Sequence, residues 1–367
     1  MMKLGFPGFK ILDRYILRKF LATYFFAIAM IIIIVVLFDY VEKVDDFTEL
    51  HAPLGAVVDY YLNFIPYFVN QFSCLFTFIA CIFFTSKLAY QTEIVAMLSG
   101  GMSFRRLMWP YFLGALIIGS LSLCLNLWVI PITQGNIVEF EAQYNKRRQN
   151  VQFDRHIYRQ VEPGTYVYIR GYQNSSKRAT FFAIEHHEQG TINSLLEAAD
   201  VTFDPESKRW TAPRYTTREF DSLEVETFTQ YRNLDTLINL DVNELGNVNE
   251  LVKTMNIHAL NDFIDQQQAK GSDSINLILV EKHARYAYPL GTFILTLIAV
   301  SLSSRKVRGG TGLHIGVGIA LCFSYILFYR FFEEFAKSGS LPVGVAIWLP
   351  NLIYLVIAIY LYRKAPK

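Results

Sequence analysis

Cysteine is scarce in this chain, and it is absent where a disulfide scaffold would need it. Cys74, Cys81, Cys124 and Cys322 all fall inside apolar runs, and the polar middle of the 367 residues has none. A disulfide framework and a cysteine metal site are therefore not expected. The four read instead as small buried hydrophobes. Nucleotide-binding and catalytic signatures are missing too. There is no G-x-x-x-x-G-K-S/T, so the chain has no P-loop of its own to cradle a nucleotide. There is no G-x-S-x-G and no H-E-x-x-H, and the adjacent His186 and His187 would point to opposite faces of a strand. No catalytic residue, metal, cofactor or nucleic-acid partner is expected.

Charge is also missing, but only locally: both ends of the chain carry long uncharged apolar stretches around a polar middle. A helix needs about 20 mostly apolar residues to cross the hydrocarbon core, and six stretches qualify, at about 17–38, 60–84, 107–130, 285–304, 312–332 and 343–362. The first has basic residues before it, as a signal peptide would. Its apolar run is too long for that, and "DYVEKVDD" follows with no small-residue cleavage site, so it is expected to be a retained span. Lysine and arginine sort to one side of these spans. They are Lys3, Lys10, Arg14, Arg18 and Lys19 before span one, Lys87, Arg105 and Arg106 between spans two and three, Arg305, Lys306 and Arg308 between spans four and five, and Arg363, Lys364 and Lys367 at the end. The opposite loops are acidic, with Asp39, Glu42, Asp45, Asp46 and Glu49, then Glu333 and Glu334. Both termini are accordingly expected in the cytoplasm.

This divides the chain into residues 1–130 (spans one to three), 131–284 (an extracytoplasmic domain) and 285–367 (spans four to six). The middle domain is expected to be antiparallel β, a sandwich or jellyroll. "TYVYIRGY" (Thr165–Tyr172) and "VTFDPESKRWTAPRY" (Val201–Tyr215) alternate around turn-forming clusters. No helical period is read before "NIHALNDFIDQQQAK", Asn256 to Lys270, which would lead back to the membrane. The fold class is thus an α-helical membrane protein of six spans with an inserted all-β, jellyroll-like domain.

Several charged residues have two readings. Lys146, Arg147 and Arg148, with Arg155, are either a solvated surface or a site for phosphates and anionic head groups. Lys43 is either a rim cation or the i,i+4 partner of Asp39, and Arg330 has the same spacing to Glu334. Gly312 and Gly316 are four apart, which lets two helices approach closely. The loop between spans two and three holds "YQTEIVAMLSGGMS", Tyr90 to Ser103, with the lone carboxylate Glu93. Projected as one helix over about 87–101, it puts Ala89, Glu93, Ala96 and Gly100 on one small-residue face. Gly100 and Gly101 would end that helix and Ser103 would cap the next. Such a face fits a groove on another protein. The competing reading is an amphipathic connector with Leu88, Val95 and Leu98 in lipid.

Here the sequence resembles a known family. "TEIVAMLSGGMS" is similar to the coupling helix of the LptF/LptG permeases, the membrane subunits of the lipopolysaccharide-exporting ABC transporter; Glu93, Ala96, Met97, Gly101 and Ser103 match, while Gly100 stands where the family usually has Ala or Ser. "EKHARYAYPLGTFILTLIAVSLSSRKVRGG" (Glu281–Gly310), "HIGVGIALCFSYILF", "GSLPVGVAIWLPN" and the hairpin "AADVTFDPESKRW" also resemble it, in order, across nearly the whole chain. The resemblance implies six spans around a periplasmic jellyroll, a second permease subunit, and a cytoplasmic ATPase dimer that receives the coupling helix. It further implies a periplasmic bridge protein that takes lipopolysaccharide onward. Spans one and five would wall a cavity for acyl chains, with Phe25, Phe26, Ile32, Leu37, Phe323, Leu327 and Phe331 as candidates and Lys43 as the head-group cation. Two other readings stay open at this point: a permease of a different envelope-lipid or lipoprotein exporter, and an envelope-lipid modifying enzyme.

Overall fold

The computed structural model describes residues 11–145, 153–173, 177–188, 191–205, 207–220, 226–238, 248–269, 272, 274–304 and 312–365. Six helical spans cross the molecule. Span one is α1 (Ile11–Glu49) and span two is α2 (Leu54–Tyr90). A short α3 (Glu93–Ser99) precedes span three, which runs through α4 (Phe104–Cys124), a π-helical turn (Leu125–Val129) and α5 (Ile130–Tyr144). After the β domain come α6 (Val248–Thr254) and α7 (Ile257–Ala269). Spans four, five and six are α8 (Ile275–Ser303), α9 (Gly312–Lys337) and α10 (Val343–Lys364). The helices outrun the apolar stretches that announce them. At 1.5 Å per residue the 39 residues of α1 reach about 58 Å, roughly twice a hydrocarbon core. Hydropathy marks only the lipid-depth portion, and the ladder continues into the polar flanks.

Packing inside the bundle cannot rely on excluding water, because lipid is as apolar as leucine; close contact and hydrogen bonds take that role. Close contact occurs where glycine replaces a side chain. A Cβ on Gly114 would strike Phe20, on Gly119 Phe293, on Gly291 Tyr325 and on Gly318 Ile82. Gly312 and Gly316, the pair singled out by spacing, have nothing within 4 Å of an added Cβ among the described residues. Polar stitches join the spans: Tyr24 to Ser73 (2.8 Å), Thr85 to Tyr111 (3.0 Å), Tyr325 to Asn351 (2.8 Å), and Asn351 Nδ2 to the Ala287 carbonyl (3.0 Å). Asn70 accepts from Ser122 at 2.6 Å and donates to Asn126 at 2.9 Å, on the π turn itself. Three cysteines are buried as expected; Cys124 instead lies exposed on the flank of span three.

The inserted domain is one antiparallel sheet of six strands: β1 (Phe153–Glu162), β2 (Thr165–Gln173), β3 (Arg178–Glu188), β4 (Thr191–Asp204), β5 (Arg209–Phe220) and β6 (Glu226–Leu237). Each strand pairs with its chain neighbour, in the order β1-β2-β3-β4-β5-β6. The alternation read from Thr165–Tyr172 is strand β2, and the Val201–Tyr215 hairpin closes with Asp204 opposite Arg209 and Phe203 opposite Trp210. One face carries the core of Val167, Ile169, Phe182, Val201, Trp210 and Ala212, with Trp210 fully buried. A single sheet buries a tryptophan this completely only by curling over it, which right-handed twist promotes.

One element escaped sequence reading. Helix α6 precedes the expected return helix, and its seven residues are too few to display a period. Asn256 caps α7 by accepting from the Ala259 amide at 2.9 Å. Helices α6 and α7 share a separate small core with the start of span four, through Val252, Leu260, Ile264 and Ile278.

Candidate functional site

The segment carrying Glu93 is built from two breaks. Thr92 has φ 63°, a left-handed conformation that a β-branched residue rarely adopts, and it stops α2 short of α3. Gly101, at φ +86°, ends α3 on the other side, and the Ser103 hydroxyl accepts from the Arg106 amide (3.3 Å) to start α4. The expected stop and cap are therefore present. The expected continuous face is not. Ala89 belongs to α2 and is buried, so it lies on no surface with Glu93, and Leu88 is buried as well. The αL turn at Thr92 resets the helical phase that the projection assumed. What remains exposed on α3 is Val95, Ala96 and Ser99, with Glu93, Met97 and Leu98 half-buried and Ile94 anchoring the helix in the core.

Two polar contacts tie this elbow to span one. The Tyr15 hydroxyl donates to Glu93 Oε2 at 3.3 Å. Arg106, one turn into α4, donates to the buried carboxylate of Asp13 in an ion pair. Beside the Asp13–Arg106 pair lies a cavity of about 420 Å³ lined by Leu12, Asp13, Gly100, Gly101, Met102, Ser103 and Arg106. Neither Tyr15 nor Asp13 was singled out from sequence. The signal available was only a carboxylate within an apolar-periodic run, Asp13, set among basic residues.

At the far end of span one, Lys43 is committed elsewhere. Its ammonium sits 2.9 Å from Asp39, 3.0 Å from Glu141 and 2.5 Å from the Tyr60 hydroxyl, with its side chain 17% exposed. The Asp39 pairing was legible at i,i+4; Glu141, 98 residues away, was not. Lys43 is thus a half-buried cross-link of spans one, two and three and not an open rim cation. Arg330 pairs with Glu333 at 2.9 Å rather than with Glu334, which Lys337 takes at 2.8 Å. Lys146, Arg147 and Arg148 lie outside the described residues, as does the side chain of Arg155.

The apolar candidates divide by helical phase. On α1 the buried residues Ile16, Phe20, Tyr24, Ile28 and Ile32 follow one another at every fourth position, a single ridge against the bundle. Ile32 is therefore packed into the core. Phe25, Phe26 and Leu37 stand off the ridge and are exposed. On α9, Phe323, Leu327 and Phe331 are exposed on one face, and Arg330 is exposed beside them. Inside the β domain, Tyr172 OH and Trp210 Nε1 are buried and make no hydrogen bond among the described residues. Burial pushes the Tyr172 hydroxyl up from its ordinary value.

Spans stitched by hydroxyls and amides, large apolar faces left open on two of them, and a β domain threaded between spans three and four define a multi-pass helical membrane protein with an inserted β domain. Residues 14–364 match the lipopolysaccharide export system permease LptF/LptG, and the chain belongs to that family. It is 20% identical over 358 residues to the lipopolysaccharide export system permease protein LptG of Escherichia coli strain K12, covering 97% of this chain and 99% of that protein. Similarity to the LptG of Haemophilus influenzae strain Rd is 18% over 354 residues, covering 96% and 98%.

Proposed function

We propose that this chain extracts lipopolysaccharide from the outer leaflet of the inner membrane, driven by an ATPase dimer that docks on α3. The observation that carries this reading is the lone carboxylate Glu93 on a short helix whose hydrogen bond runs to span one, the same span whose other flank is openly apolar. A partner that moves Glu93 thereby acts on a wall of the proposed cavity. The basic loops support placing α3 and both termini in the cytoplasm and the β domain in the periplasm. Phe25, Phe26 and Leu37 of span one and Phe323, Leu327 and Phe331 of span five supply apolar wall for acyl chains. Arg330, among the latter, takes over the head-group role that Lys43 cannot fill; Lys146, Arg147 and Arg148 are a second basic set. A second six-span permease completes the cavity. The β domain hands the lipid to a periplasmic bridge protein, consistent with its unmatched buried Tyr172 hydroxyl and Trp210 indole.

The experiment is co-purification of the ATPase and ATP-driven lipopolysaccharide release from proteoliposomes with Glu93→Ala. Loss of both, with the second permease subunit still bound, is expected. Undiminished ATPase binding and release would remove α3 as the coupling element.

A further inference from the structure

Span four contains an arginine that the coupling and cavity readings leave unused. Arg285 is 3% exposed. Its Nη1 donates to the Met255 carbonyl at 2.8 Å and its Nη2 to the Val252 carbonyl at 2.9 Å, while Nε faces Glu281 Oε1 at 3.3 Å. Val252 is in the last turn of α6 and Met255 directly follows it, where the helix dipole is negative; the Val252 carbonyl also accepts from the Met255 amide at 3.3 Å. A planar fork reaches both at once, which a lysine cannot do. A buried cation is costly unless it is paired and hydrogen-bonded, and Glu281 and the carbonyls meet that demand. Lys253 adds a second fastening: its ammonium is 3.4 Å from the Tyr67 hydroxyl on span two and 5.1 Å above that ring.

The backbone of span four is weakest at the same point. Pro289 has no N–H, so the Arg285 carbonyl lacks its i+4 donor within the helix, and α8 can bend there. The stretch of α8 before the proline joins both cores: Ile278 packs with α6 and α7, while Val280 and Ala287 pack in the bundle core.

We propose that Arg285 is a positioning residue for lipid transfer: it clamps the return segment of the β domain to the outer third of span four and so holds the sheet over the cavity exit. The clamp rests on the lipid route proposed above, and its test separates the two. In the full transporter, a benzophenone amino acid at Phe331 reports lipopolysaccharide in the cavity, and one at Leu196 reports it on the sheet. Arg285→Lys and Arg285→Gln are expected to lower the Leu196 adduct by at least about fivefold, the lower end of a site-to-site coupling, while the Phe331 adduct and ATPase rate hold. Amide exchange in residues 248–254 should rise by about tenfold in the same variants as α6 opens locally. If Gln at this position does not yield assembled complex, Lys, which keeps the charge but not the planar fork, decides. Unchanged Leu196 adduct, a parallel loss at both positions, or unchanged exchange in α6 would each overturn the clamp. A wild-type complex without the Phe331 adduct would instead defeat the lipid route, and the exchange measurement would still judge the clamp.

Discussion

At the scale of single residues, the most consequential pairing joins positions 93 residues apart. Asp13 and Arg106 are 5% and 16% exposed in their side chains and close the cavity beside α3. Removing one member of a buried pair leaves a charge without its counterion, at about 3–5 kcal/mol. Asp13→Asn should therefore lower the thermal midpoint of the purified complex, and the reversal Asp13→Arg with Arg106→Asp should recover part of it, as read in a double-mutant cycle. A cycle with no coupling between the two positions would contradict the pairing. Glu93 could be singled out from sequence because it is one carboxylate in an apolar context. Tyr15 and Asp13 could not, since their roles depend on how α1 leans on the elbow. Lys43 carries the opposite lesson: its near partner Asp39 was visible at helical spacing, while Glu141 arrives from span three and converts an apparent rim cation into a cross-link.

Elements show where periodicity reads well and where it fails. On α1 a ridge at every fourth residue buries Ile28 and Ile32 and leaves Phe26, Met30, Ile33 and Leu37 exposed. A crosslinking walk along span one should follow this phase, with lipopolysaccharide adducts at Phe26, Ile33 and Leu37 and none at Ile28 or Ile32. Adducts without periodicity would mean that α1 turns its ridge outward. The projection across residues 87–101 failed because one residue, Thr92, adopts a left-handed conformation that composition does not announce. The β hairpins were legible from alternation and turn chemistry. Their curl is a property of the assembled sheet, and Trp210→Ala should cost it about 3–5 kcal/mol, measurable as lost protease resistance of the β domain.

For the molecule as a whole, six helices are long and apolar enough to cross a membrane, and the proposed topology puts α3 on one side and the β domain on the other. With Cys124 replaced, single cysteines at Ser103 and Ser207 should label from opposite sides of sealed vesicles, Ser207 from the periplasmic face. Labelling of both from one side would overturn the topology. Spans one and five, only 17% and 22% buried in their apolar windows, are the least covered by the rest of the chain, whereas span two, at 67%, is the hub.

The sequence by itself determined the number of spans, the charge asymmetry that orients them, the β character of the insertion and the family. Those follow from local composition: hydrocarbon demands about 20 apolar residues, a sheet demands alternation, and lysine and arginine prefer one side. Tertiary structure decided which face of each span is open, that Ala89 and Ile32 are core, that Lys43 is tied down, and that Arg285 grips α6. Each of these depends on groups far apart in the chain meeting in a low-dielectric interior. There a charge or hydrogen-bonding group must find a partner, and only packing determines which one it finds.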